Sequence, residues 1–198
     1  MSERSEKNWG DSFVTHLEKL LASGDRGALA GLRRGLGKPP GTAAEMHPHV
    51  AWAVQRCKSR WEEDCYYIIA PLFAFWHQGK NASVSSPHKD LGASMRQWAW
   101  DEEKHKVNED RFKSIERRFV ALLNCHRDDL HVHLRRVVGL LKSKEIPVDW
   151  PQLLFDIRGW DWDSRRVQRR WAKSFWAGQP RTDASQLAAA EGAEETTA

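Results

Sequence analysis

Cysteine is scarce in this chain. Its 198 residues hold three, Cys57, Cys65 and Cys125, an odd number with no CxxC pair. That argues against a disulfide framework or a zinc knuckle and fits buried thiols in a reducing compartment. Long hydrophobic runs are missing as well. The longest uncharged apolar stretch, Cys65 to Trp76, is interrupted by Pro71 and is too short to span a bilayer. Met1 to Lys7 is followed by no apolar segment of the secretory kind. The expectation is a soluble, cytoplasmic protein with no membrane partner. Residues suited to pleated sheet are few: Val, Ile and Thr total 21 against 38 Ala and Leu, a balance that favours helix. A phosphate loop is absent too. The Gly37-Lys38 pair has Leu32 where the motif needs Gly and Pro39 where it needs Ser or Thr.

The length allows one domain or two small ones and excludes a large multidomain enzyme. With 40% apolar and 29% charged residues, the chain has ordinary globular composition. Eleven tryptophans are far above usual and suit wide core contacts or partner surfaces. The net charge of +4 is mild, but its distribution is not. Arg111 to Arg170 holds fourteen Lys/Arg against eight Asp/Glu, whereas 181–198 holds one Arg against four acids.

Periodicity places the helices. Phe13, Leu17, Leu20 and Leu21 follow Ser12 as an N-cap; Asp25 caps a second helix with Leu29 and Leu32 on its face and Arg33-Arg34-Gly35 at its end. Pro48 opens a third helix. A nearly all-apolar helix covers Trp61 to Trp76 with a kink expected at Pro71, and a short one covers Leu91 to Trp100. The charged run Asp101 to Lys106 reads as a linker. Beyond it, one apolar arc holds Phe112, Ile115, Phe119, Leu122 and Leu123, and a second holds Leu130, Leu134, Val137, Val138 and Leu141. A short helix follows Pro151, and Val167, Trp171 and Phe175 line the last one. The expected architecture is all-α, two small helical bundles joined by a charged linker: an N-terminal lobe over 8–100, a C-terminal lobe with a basic face over 107–178, and a disordered tail over 179–198.

Arginine dominates the faces left outside these arcs. Arg165, Arg166, Arg169, Arg170 and Lys173 share the last helix, and like charges at that spacing repel unless a polyanion covers them. Planar guanidinium groups suit phosphate oxygens and stacking on bases. With Arg33, Arg34, Arg117, Arg118, Arg127, Arg135 and Arg136, the set favours binding to a nucleic-acid backbone over a merely solvated face.

The order of these residues carries a resemblance. Glu116-Arg117-Arg118-Phe119 with Leu122-Leu123, Arg127-Asp128-x-Leu130, Leu134-Arg135-Arg136, Pro147-Val148-Asp149-Trp150, Leu153-Leu154-x-Asp156, Trp160 and Val167-x-Arg169-Arg170-Trp171-Ala172-x-Ser174-Phe175-Trp176 resemble the CasB family, as do Leu32-Arg33-Arg34-Gly35 and Leu72-Phe73-Ala74. CasB is the small subunit of Cascade, the type I-E CRISPR effector complex. The resemblance implies a non-enzymatic, all-helical subunit of an antiviral ribonucleoprotein. Its implied partners are the guide RNA, the target and displaced DNA strands, a second copy of itself, and the large and repeated backbone subunits. In such a system base pairing reads the sequence and protein contacts to the backbone tip the strand-separated R-loop state. By position, all eleven arginines named above match basic residues of the family, with Arg117, Arg135, Arg136, Arg166 and Arg169 foremost.

Catalysis and cofactors find little support. His47-x-His49 and His131-x-His133 are i, i+2 pairs, which point apart on a helix and cannot share a metal. Asp161-Trp162-Asp163 could hold Mg²⁺ but stands where helix capping is the commoner role. No cofactor and no metal are expected. Two other readings stay open: a helical regulator reading one DNA site in the major groove, and a structural adaptor whose tryptophans dock on protein.

Overall fold

The computed structural model describes residues 3–101 and 105–177; the tail expected at 179–198 lies outside the described residues. Nine helices carry the described chain: α1 Glu3–Ala22, α2 Arg26–Arg33, α3 His47–Val54, α4 Arg60–Trp76, α5 Leu91–Trp98, α6 Glu109–Asn124, α7 Leu130–Ser143, α8 Trp150–Arg158 and α9 Arg166–Phe175. Single 3-10 turns precede α3, at Ala44–Met46, and α7, at Arg127–Asp129.

Short polar side chains start most of these helices by accepting from a backbone N–H that the helix cannot satisfy itself. Asp25 accepts from Ala28, Ser59 from Glu62, Asp90 from Ala93, Asn108 from Arg111 and Asp149 from Gln152. Asp25→Ala should therefore cost about 1 kcal/mol, read as a lower urea midpoint with an unchanged slope; an unshifted midpoint would contradict the cap. Ser12 is not a cap. α1 begins at Glu3 and Ser12 lies inside it, because Glu3 to Asn8 are all polar and leave no apolar period to read. α4 continues on both sides of Pro71 and buries nearly every residue from Cys65 to Trp76, as its all-apolar composition predicts.

The charged run is more than a linker. Trp100–Asp101 and Lys106–Val107 pair antiparallel, Trp100 opposite Val107, so the chain turns back before α6. The division at 8–100 and 107–178 is a division along the sequence, and one apolar core runs across it. α1 packs on α8, α5 lies along α9, and α4 touches both α7 and α8. Tryptophans sew this junction: Trp76 Nε1 donates to the Ile146 carbonyl (3.0 Å) and Trp61 Nε1 to that of Arg158 (3.2 Å). At the α5–α9 crossing a Cβ on Gly92 would collide with the Trp171 carbonyl, so only glycine permits that approach. Much of the tryptophan excess is thus structural: Trp76, Trp150, Trp160 and Trp171 are fully buried. No helix among the described residues is long and apolar enough to cross a membrane.

Candidate nucleic-acid interface

The eleven arginines divide by what their guanidinium groups touch. Three close unfinished helix ends or bind buried acids. Arg33 donates to the Ala74 carbonyl (3.3 Å) in the last turn of α4, beside Lys142, whose ammonium donates to Phe75 (2.7 Å). Both cations thus satisfy orphan carbonyls at the negative end of that helix. Burial, together with Arg33 and Lys80 nearby, lowers the pKa of Lys142. Arg165, held in the left-handed region at φ 47°, donates to the Leu123 carbonyl at the end of α6. Arg170 bonds Asp156, which is wholly buried, and approaches Asp90 (3.9 Å).

Arg127 stands between roles. It pairs with Asp161 (3.0 Å) and lies over the Trp61 ring at 5.7 Å. Arg118 is exposed and folds back one turn onto Ser114. Arg166 lies over the Trp162 ring at 4.1 Å, on a tryptophan left 38% exposed.

The other five, Arg34, Arg117, Arg135, Arg136 and Arg169, are exposed, and their guanidinium groups make no hydrogen bond or ion pair among the described residues. Each stands on the solvent side of an element whose apolar face is locked in the core, so its position is fixed although its head is free. On α6 the buried residues are Phe112, Ile115, Phe119 and Leu122. That turns Arg117 outward, where with Lys113 and Arg118 it lines a shallow depression of about 480 Å³. On α9 the buried side of Val167, Trp171 and Phe175 leaves Arg169 and Lys173 in water.

Folding also joins cations far apart in sequence. Gly37, at φ 77°, faces the side chain of Arg135, so close that a Cβ there would strike the guanidinium. Arg34 and Lys38 flank this glycine, which places the loop after α2 against α7. Lys38 is not marked by the sequence because only the fold brings the loop at Gly37 to Arg135; the adjoining Pro39-Pro40 is the one signal of a rigid loop. Three basic surfaces result: Arg34, Lys38 and Arg135; Lys113, Arg117 and Arg118; and Arg166, Arg169 and Lys173.

Burial raises the thiols of Cys57 and Cys125 to about 11, which keeps them protonated and unreactive. Nδ1 of His47 bonds the Tyr67 hydroxyl at 2.8 Å. Among the described residues no three His, Cys, Asp or Glu converge as a metal would require.

Comparison with known proteins bears on this surface. The family model of CRISPR-associated protein Cse2 matches residues 28–176. A curated relative, CRISPR-associated protein Cse2 of Thermus thermophilus, is 28% identical over 169 residues, covering 84% of this chain and 89% of the relative. Among solved structures, CasB of M. ruber superposes with a TM-score of 0.66 at 28% identity, over 93% of this chain and 97% of that one. A chain of a CRISPR RNA-guided surveillance complex, pre-nicking, gives 0.70 at 28% identity, over 85% and 92%.

Proposed function

This chain belongs to the CRISPR-associated protein Cse2 family, and from that membership we propose that it is a non-catalytic, nucleic-acid-binding small subunit of an RNA-guided surveillance complex in antiviral defence. Within that assembly its partners are the guide RNA, the target and displaced DNA strands, a second copy of itself, and the large and repeated backbone subunits. The observation that carries this reading is the set of exposed arginines without ionic partners, Arg34, Arg117, Arg135, Arg136 and Arg169, on helices whose opposite faces are buried. A phosphate backbone supplies the charge they lack, and contact with the backbone alone suffices because guide pairing reads the sequence. Arg166 over Trp162 adds a planar, exposed surface on which an unpaired base can stack. Arg33, Arg165 and Arg170 belong to the scaffold in this reading, and Arg118 and Arg127 to the margin of the interface.

The test is single-strand binding by the isolated chain across a salt series. Binding should require no particular recognition site and should fall steeply with salt, since each neutralised phosphate releases counterions. The Arg135→Ala, Arg169→Ala double variant should bind more weakly and flatten the logarithmic salt slope by about 0.7 per lost contact, with no change in melting temperature. An unchanged slope would remove the basic surfaces from the function. Strong preference for one duplex site would favour a sequence-reading regulator instead.

A further inference from the structure

Beside the Arg34, Lys38 and Arg135 surface lies a cleft of about 380 Å³ that the backbone-binding reading does not use. Its volume falls within the ~300–1,000 Å³ range of small-molecule sites. One wall is the start of α4, with Arg60, Trp61 and Asp64; a second is the rigid Pro39-Pro40 pair; the third is formed by Arg127, the exposed Asp128 and His131. His131 and Arg135 are four residues apart on α7 and so share one stripe, and Arg127 stands just before it in the 3-10 turn. Arg135 therefore stands one turn beyond His131 of the cleft wall, and the loop carrying Lys38 runs straight into the Pro39-Pro40 wall.

Two of its polar groups have no explanation within the fold. Asp64 is half-buried and makes no hydrogen bond or ion pair among the described residues. Burial, with Glu63 and Asp128 nearby, raises its pKa against the pull of Arg60 and Arg127, so the carboxylate sits where an incoming donor would relieve it. Nδ1 of His131 is shielded from water and likewise lacks a partner. The remaining surfaces are flat: the indole of Trp61, the Arg127 guanidinium over it and two proline rings. Planar walls, an unsatisfied carboxylate at the side and cations at the mouth match the three parts of a nucleotide.

We propose that this cleft receives one unpaired nucleotide of a bound single strand, one whose base carries an exocyclic amino group. The phosphates lie against Arg60 and Arg135, the base enters between the prolines and the Trp61–Arg127 pair, and its amino group donates to Asp64. Adenine, cytosine and guanine can make that bond. Thymine and uracil have no amino group and offer only the imide N3–H, flanked on both sides by carbonyl oxygens that repel a carboxylate, which selects against them. The inference rests on the backbone-binding reading and adds a base preference to it.

The experiment compares the full chain's affinity for oligo-dC and oligo-dT of equal length at one ionic strength, by fluorescence anisotropy. Wild type should favour dC about ten-fold, the worth of one charge-assisted hydrogen bond. Asp64→Ala should bring the two affinities together by weakening dC. Asp64→Asn, which offers a donor and an acceptor in nearly the same shape, should bring them together by strengthening dT. Neither change removes a bond that holds the fold, so the melting temperature should not move. Equal wild-type affinities, or a dC preference that survives Asp64→Ala, would overturn the base pocket and leave the backbone reading standing. Absence of salt-dependent binding to either strand would overturn both.

Discussion

Asp156→Ala is expected to lower the unfolding free energy by about 3 kcal/mol, a fall of roughly 6–12 °C in melting temperature for a chain of this size. Asp156 is wholly buried in α8 and accepts from three side chains: Gln152 Nε2 (2.6 Å), Trp171 Nε1 (2.6 Å) and the Arg170 guanidinium. Burial raises its pKa in spite of those three donors, which pull it down. Removing the carboxylate strands the indole N–H of Trp171, itself fully buried, and unpairs Arg170. The bond network also reaches α5, since Asp90 accepts from Ser174 Oγ (2.7 Å) and lies 3.9 Å from Arg170. α9 therefore loses its polar tie to α8 and is left with the Ser174–Asp90 bond to the start of α5. A sharper contrast comes from adjacent residues. Arg170→Ala should also lower the melting temperature, by less because that side chain is 42% exposed and its pairing is partly screened. Arg169→Ala should leave melting within about 0.5 kcal/mol of wild type while weakening strand binding. Equal melting effects for the two neighbours would refute the division between scaffold and interface.

That division shows where sequence reading reaches its end. The helix stops and starts were legible because each is a local event: Asp25 is followed at once by the residues whose N–H groups it caps, and Phe112 to Leu122 repeats on one arc whatever lies opposite. The free arginines on α6, α7 and α9 were legible for the same reason, as residues outside an apolar arc. The partners of Arg33, Arg165 and Arg170 were not. Arg33 meets Ala74, 41 residues on, and Arg165 meets Leu123, 42 residues back, and both acceptors are backbone carbonyls, which every residue has and no composition reveals. The Arg127–Trp61 wall and the Gly37–Arg135 approach join the two halves of the chain in the same way. A basic residue's role here depends on which helix end the fold brings beneath it. The resemblance supplied the assembly, but it could not separate the guanidinium groups that brace the fold from those that face outward.

Acid should loosen this protein through one buried imidazole. His77 follows the last residue of α4, 1% exposed, with the rings of Phe73 and Trp76 at 4.1 and 4.7 Å and that of Trp150 at 6.0 Å. Nδ1 lies 2.9 Å from the Phe73 carbonyl, which makes it the protonated nitrogen, and Nε2 has no partner among the described residues. Burial drives the pKa down to about 4, overcoming the Phe73 carbonyl, which favours the imidazolium; Lys80 nearby lowers it further. The unfolded chain, with an ordinary value near 6.5, therefore takes up the proton first. The contribution of His77 is complete above about pH 6.5 and is lost progressively as pH falls towards 4. Between pH 7 and 5 that loss amounts to about 2 kcal/mol, measurable by urea denaturation at each pH. His77→Leu should remove this component and leave the shallower slope due to His16, His88 and His133, whose pKa values burial also lowers. The substitution does not strand the Phe73 carbonyl, because it already accepts from the backbone N–H of residue 77 at 3.0 Å. If wild type and His77→Leu lose the same stability between pH 7 and 5, the imidazole is not the acid-sensitive element. The site matters beyond stability, since the same last turn of α4 receives Arg33 and Lys142. A proton on His77 would add a third cation where two already meet, and α2 with the Arg34 and Lys38 surface is anchored there through Arg33.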